Sequence, residues 1–191
     1  MKASKAILLV ILCAAPALAL VIAGEAQKQT QPNVERILRG KYLVSFGGCN
    51  DCHTPVKFTD KGPVSDYTRM LSGHPEDIKL PPPKLMTGSW CVASADMTEW
   101  AGPWGISYAA NLTPDENTGL GIWTEDMFVK TMRTGRHMSV SRKILPPMTW
   151  QNLNALTDED LKAVYAYLRT IPAVTNHVPE ATGPDGDVDL Q

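Results

Sequence analysis

The sequence predicts a small, mostly α-helical domain interrupted by one long irregular excursion, and three observations carry that prediction. Of 191 residues, 43% are hydrophobic and 20% charged, the balance of one ordinary globular domain with a modest core. Apolar residues recur at helical spacing near the start and again near the end of the chain. Between them, from Pro55 to Ala110, the chain is rich in Pro and Gly, includes Pro81-Pro82-Pro83, and shows no sustained helical or strand period.

The elements follow in order. Met1-Lys2-Ala3-Ser4-Lys5 sets two positive charges ahead of an uncharged stretch from Ala6 to Ala23, the form of a secretory signal. Pro16, the Ala-rich second half, and the small residues of Ala17-Leu18-Ala19 and Val21-Ile22-Ala23 favour cleavage before Gly24. An uncleaved anchor is the alternative, because the stretch lies at the lower limit for a spanning helix. Residues 1–23 are thus read as a signal segment and 24–33 as a polar linker. Residues 34–178 form the folded domain, and 179–191 a disordered acidic tail without apolar period. The expected location is periplasmic or otherwise exported, with membrane association through the N-terminal segment if it stays attached. Loss of Lys2 and Lys5 leaves a net charge of about -4, which argues against nucleic acid as a partner.

Val34 to Phe46 reads as an amphipathic helix with Val34, Ile37, Leu38 and Tyr42 on one face. Glu125 to Thr134 reads as a second, capped by Thr124, started by Glu125 and Asp126, ended by Gly135, and carrying Met127, Phe128 and Met132 inward. The clearest helix runs from Asp158 to about Arg169. Thr157 caps it, three acids fill its first turn, Leu161, Val164, Tyr165 and Leu168 form its stripe, and Pro172 stops it. A long irregular loop in a compact domain ordinarily serves a site or wraps something, and a flat cofactor is one such thing.

Cys49-Asn50-Asp51-Cys52-His53 is the C-x-x-C-H pattern of c-type haem attachment. Two thiols three positions apart on a helical turn can add across both vinyl groups of one haem while the adjacent His presents its imidazole to the iron. A zinc site would need a second Cys or His pair, and Cys91 stands alone beyond the signal segment. A thioredoxin-like motif would need a βαβ pattern that is absent, and a Cys49–Cys52 disulfide would leave His53 unexplained. Cys13 lies inside the signal segment behind Leu12, a poor context for lipid attachment.

The sixth iron ligand decides between electron transfer and ligand chemistry. Met148 is the favoured candidate, because Pro146 and Pro147 constrain the backbone ahead of it. Met138, His137, Met70 and His74 are rivals in less constrained loops, and Met127 and Met132 sit at core spacing.

Several stretches resemble the cytochrome c domains found in multi-haem subunits of membrane-bound alcohol and gluconate dehydrogenases. They are Arg39-Gly40-Lys41-Tyr42-Leu43-Val44, Asn111-Leu112-Thr113-Pro114-Asp115, Thr118-Gly119-Leu120-Gly121-Ile122-Trp123, and Pro146-Pro147-Met148. Leu156-Thr157-Asp158-Glu159-Asp160-Leu161 and Tyr165-Ala166-Tyr167-Leu168 complete the match. The resemblance implies a cytochrome c fold around one covalent haem and assigns the distal ligand to Met148. It also implies that the first and last helices cross, with Gly40 and Tyr42 against Tyr165 or Tyr167. This chain departs from the pattern in having one haem motif and extra sequence between Cys91 and Trp104. Lys61-Gly62-Pro63 resembles the Gly-Pro of small soluble cytochromes, which implies that the Pro63 carbonyl receives a hydrogen bond from the proximal imidazole.

Arg133, Arg136, Arg142 and Lys143 gather before the Met148 loop and read either as partners of haem propionates or a docking face, or as solvated loop charges. Cys91 reads as a buried inert thiol, and Asn111-Leu112-Thr113 matches a glycosylation sequon only through the family motif. Trp100, Trp104, Trp123 and Trp150 read as core residues or as packing for the porphyrin.

The resulting expectation is an electron carrier rather than an enzyme: haem c and its iron held by Cys49, Cys52, His53 and Met148, passing electrons between exported dehydrogenase or respiratory partners. The rival is a haem enzyme or sensor with an open distal site, peroxidase-like or gas-binding, which requires that Met148 not bind.

Overall fold

Two glycines turn the first helix into the second. Helix α1 (residues 33–46) ends where the Gly47 amide donates to the Leu43 carbonyl at 2.8 Å, and Gly48 adopts a left-handed φ of 65° before α2 (Cys49–His53) begins. The computed structural model describes residues 33–81 and 90–183. The signal segment 1–23, Cys13 and the linker up to residue 32 lie outside the described residues. The chain divides between Arg36 and Ile37, and everything that follows concerns the unit from Ile37 onward.

Within that unit α1 buries Gly40 and Val44, with Ile37 and Leu43 half-buried, while Leu38, Tyr42 and Phe46 are exposed. This corrects the apolar face read from the sequence, on which Leu38 and Tyr42 belonged. Gly40 decides the matter. A Cβ placed on it would lie 1.9 Å from the Ala163 carbonyl oxygen and 2.9 Å from the Tyr167 Cβ, so the two backbones touch at that point. The implied crossing of the first and last helices is therefore present at Gly40. Tyr42 does not take part in it and instead stacks on Phe46 at a centroid distance of 5.9 Å.

Helix α3 (Glu125–Thr134) starts and stops where its sequence signals stand. The Thr124 hydroxyl accepts from the Met127 amide, and Gly135 closes the helix in the left-handed region at φ 64°. A short α4 (Trp150–Asn154) precedes α5 (Asp158–Leu168), which Thr157 caps by accepting from the Asp160 amide. Leu161, Val164, Tyr165 and Leu168 of α5 are buried, as the stripe predicted, against Val44, Leu120, Trp123, Phe128, Val129 and Met132. Each aliphatic side chain so buried contributes about 1.5–3 kcal/mol. The Tyr165 hydroxyl donates to the Trp123 carbonyl, so this core also fastens the loop before α3.

The excursion from Pro55 to Ala110 is not the irregular loop expected. It contains an antiparallel hairpin, β1 (Val56–Thr59) with β2 (Gly62–Ser65), and a three-stranded antiparallel sheet, β3 (Val92–Ala93), β4 (Glu99–Gly102) and β5 (Gly105–Tyr108), in that order. Strands of two to four residues are too short to register as a period, and β4 is buried at all four positions, so it shows no alternation. The framework is helical, and the insertion is where the mostly α reading fails.

The expected tail also needs correction where it is described. Thr182 pairs with Ile106 on the free edge of β5, with amide-to-carbonyl distances of 2.9 and 3.0 Å, and Ala181 is buried. Residues 184–191 lie outside the described residues. Among the described residues, no helix is long and apolar enough to cross a membrane.

Candidate functional site

Cys49, Cys52 and His53 share the single helical turn of α2, which the Gly47-Gly48 break aims inward from the end of α1. Both cysteines are half-buried free thiols, and His53 is buried. Burial pushes the Cys49 thiol up to about 11 and raises Cys52 as well, with Asp51 adding a smaller upward push. Among the described residues, no group of His, Cys, Asp and Glu is arranged to hold a metal ion by itself.

The His53 Nδ1 lies 2.7 Å from the Ala110 carbonyl oxygen. A carbonyl can only accept, so Nδ1 carries the proton and Nε2 keeps its lone pair. Burial lowers the His53 pKa, and the bond to Ala110 opposes that only in part, so the imidazole is neutral near pH 7. A neutral, oriented imidazole beside two thiols on one turn is a donor set that fits a covalently tethered haem.

This contact corrects the role given to Pro63. Pro63 sits in β2 opposite Phe58 and is exposed, so the hairpin carries it away from the imidazole, and Ala110 accepts instead. Ala110 is itself held in place from nearby. The Gly73 amide donates to the His53 carbonyl at 2.8 Å, and the His74 amide donates to the Ala109 carbonyl at 2.9 Å.

Met148 is half-buried in the loop between α3 and α4, where it lines a cleft of about 230 Å³ with Ile144, Pro146, Pro147 and Trp150. The Trp150 ring packs over Gly135, and the Ile144 amide donates to the Gly135 carbonyl at 2.8 Å, which ties the loop to the end of α3. Strand β5 connects this loop to His53. Its Ser107 hydroxyl donates to the Pro146 carbonyl at 2.6 Å, and its continuation supplies Ala110.

The rival ligands have these surroundings. His74 is fully buried with both ring nitrogens engaged, by Thr98 Oγ1 at 2.9 Å and the Ile78 carbonyl at 3.2 Å. His137 meets Trp123 edge-on, and Met70 and Met138 pack against the core. Met132 is buried and Met127 half-buried, as their spacing suggested.

Other sequence readings change. Arg133 donates to Asp158, to the Asn154 carbonyl and to the Leu156 carbonyl, so it joins the end of α3 to the start of α5. Arg136 donates to the Ser141 carbonyl, and Arg142 pairs with Glu180 at 3.4 Å. The basic cluster is thus engaged within the fold at three of its four members. Cys91, read as buried, is exposed beside an exposed Trp90. Asn111 is 4% exposed, and its amide donates to Thr118 and to the Val174 carbonyl, so the sequon asparagine serves the fold. Trp100 and Trp123 are buried, and Trp104 and Trp150 are half-buried.

Comparison with known proteins points the same way. The chain is 28% identical to the fructose dehydrogenase cytochrome subunit of Gluconobacter japonicus over 70% of its length. It is 29% identical to the gluconate 2-dehydrogenase cytochrome c subunit of Pantoea cypripedii over 72%, and 29% identical to the alcohol dehydrogenase (quinone) cytochrome c subunit of Gluconacetobacter polyoxogenes over 72%. The chain resembles dehydrogenase cytochrome c subunits. The matches cover 21%, 23% and 25% of those relatives, so this chain corresponds to about a quarter of their length. No protein-family model matches the chain.

Proposed function

We propose that this chain is an electron carrier with a cytochrome c fold that holds one haem c, with Cys49 and Cys52 as the covalent attachment points and His53 and Met148 as the axial ligands. The observation that carries the reading is the buried His53, with its Nδ1 bonded to the Ala110 carbonyl and its Nε2 left to a ligand role, on the turn that bears both thiols. When bound, haem c supplies a one-electron iron couple that the protein side chains lack. His53 and Met148 as a pair would set a raised potential and deny small molecules the iron. Ala110 fixes the imidazole tautomer, and the two half-buried thiols keep the cofactor attached in an exported protein. The relatives' names support a dehydrogenase as partner, and the signal-like N-terminal segment supports a site that is periplasmic or on the exported side of a membrane, with a respiratory complex as the other partner.

An optical spectrum of the oxidised and reduced protein, with carbon monoxide added to the reduced form, tests the proposal on wild type and on Met148→Ala. A low-spin wild type with the weak Met-to-ferric charge-transfer band and no response to carbon monoxide, beside a variant that loses the band and binds the gas, supports it. A wild type that already binds carbon monoxide favours an enzyme or sensor with an open distal site.

A further inference from the structure

We propose that Ser107 is a positioning residue for Met148, acting through the Pro146 carbonyl, and that the extra sequence between Cys91 and Trp104 exists to present it. The inference rests on the reading of Met148 as the distal ligand.

Prolines 146 and 147 have no N–H, so the two residues ahead of Met148 can be fastened only through their carbonyls. The Met148 amide donates to Leu145 at 3.2 Å, a bond internal to the loop. Among the described residues, the Ser107 hydroxyl, donating to the Pro146 carbonyl at 2.6 Å, ties the proline pair itself to another element. Its geometry is built in from three sides. Ser107 is 7% exposed, and the Trp104 indole N–H donates to the same hydroxyl oxygen at 3.2 Å. An indole nitrogen only donates, so it fills a lone pair of Ser107 and directs the hydroxyl proton to Pro146.

The β4–β5 turn makes that possible. A Cβ on Gly102 would stand 2.5 Å from the Trp104 ring, so only glycine lets the indole fold back across the strand. Strand β5 is held on both edges, by β4 with Ser107 opposite Trp100 and by Thr182 at Ile106. A strand fixed on both edges has little freedom to follow a moving loop. Three residues after Ser107, the same strand's continuation presents the Ala110 carbonyl to His53. One element therefore sets both candidate ligands, the imidazole through a backbone acceptor and the thioether loop through a side-chain donor.

The test compares wild type with Ser107→Ala and Ser107→Thr, each purified with its cofactor. Three quantities are read: the Met-to-ferric band, the carbon monoxide affinity of the reduced form, and hydrogen exchange at the Met148 amide. Losing a buried hydrogen bond of this kind changes an equilibrium by about tenfold. Ser107→Ala is expected to keep its haem content, weaken the band, bind carbon monoxide about tenfold more tightly and exchange the Met148 amide about tenfold faster. Ser107→Thr, which keeps the hydroxyl, restores all three towards wild type. A Ser107→Ala protein matching wild type in band, gas affinity and exchange overturns the inference. If wild type itself lacks the band, the distal-ligand reading fails separately. The exchange rate then decides whether Ser107 holds the loop: faster exchange keeps that part, and unchanged exchange removes it.

Discussion

The Nδ1 of His53 donates to the carbonyl oxygen of Ala110 at 2.7 Å, although 57 residues separate them. The acceptor is placed by Gly73, whose φ of 79° belongs to the left-handed region and whose missing Cβ would lie 2.4 Å from the Ala109 carbonyl oxygen and 2.6 Å from the Ala110 carbonyl carbon. Gly73→Ala therefore meets backbone strain and a collision with the very segment that holds the imidazole. We expect it to lower stability by about 3 kcal/mol in denaturant unfolding. We also expect a raised midpoint potential, because a weaker bond to Nδ1 leaves the imidazole a poorer electron donor to a bound iron. A Gly73→Ala protein with unchanged stability would show that the segment yields without cost.

Helix α1 offers a test in which propensity and packing disagree. Ala is favoured over Gly inside a helix by about 1 kcal/mol. At Gly40, however, the added methyl would sit 1.9 Å from the Ala163 carbonyl oxygen of α5. Backbone cannot rotate aside as a side chain can, so the helices must separate and thin the core around Val44 and Leu161. Gly40→Ala is expected to destabilise by about 2 kcal/mol net of the propensity gain. Equilibrium denaturation of the haem-loaded protein checks the sign.

The same glycine shows what sequence reading captures and what it misses. Helices α3 and α5 were legible because their caps, acidic first turns and apolar stripes are side-chain signals, and Thr124, Gly135 and Thr157 stand where those signals put them. The face of α1 was not, because Gly40 adds nothing to an apolar pattern yet permits the closest approach. In the site, Cys49, Cys52 and His53 form a motif that spacing reveals. Ala110 could not be found this way, since its contribution is a main-chain oxygen with no residue-type signature. Ser107 was equally hidden, because a lone serine in a Gly- and Pro-rich stretch looks like loop until the strands around it are seen. Strands of two to four residues are held by pairing across the insertion rather than by local pattern, which is why that region read as irregular.

Arg133 separates a structural role from an electrostatic one. Its guanidinium reaches Asp158 Oδ1 at 2.6 Å, the Leu156 carbonyl at 2.8 Å and Asn154 Oδ1 at 3.2 Å, as well as the Asn154 carbonyl. These partners cap the turn between α4 and α5. Arg133→Ala should cost about 1 kcal/mol of stability, through the half-buried Leu156 carbonyl left without its donor, since water replaces the bonds at the exposed Asn154 and Asp158. Arg133→Lys should recover little, since one ammonium cannot reproduce the planar fork. Neither substitution should move the midpoint potential, because the side chain is committed to the helix junction. A clear shift in potential without loss of stability would return Arg133 to the electrostatics of a bound haem.

Asp115 supplies a pH dependence whose sign can be worked out. Its Oδ1 accepts from the Thr118 hydroxyl at 2.7 Å, the Thr118 amide at 2.8 Å and the Asn117 amide at 3.1 Å, while Oδ2 accepts from the Thr175 hydroxyl at 2.8 Å. The Thr118 and then the Thr175 hydroxyl bonds hold its pKa at about 2, below the ordinary aspartate value. A carboxylate depressed in the folded state stabilises that state fully above its unfolded pKa of about 3.9 and loses the contribution as pH falls towards 2. The loop it organises carries Gly119 and Gly121, whose amides both donate to the Asp115 carbonyl, and leads into the buried Trp123. Asp115→Asn removes the titration while keeping the shape of the side chain. Wild type should exceed this variant in stability by a constant margin from pH 5 to pH 7, and the margin should shrink steadily below about pH 4. Paired denaturation curves across that range read the margin directly, and one that stayed flat down to pH 2 would mean that the carboxylate is not the group these bonds favour.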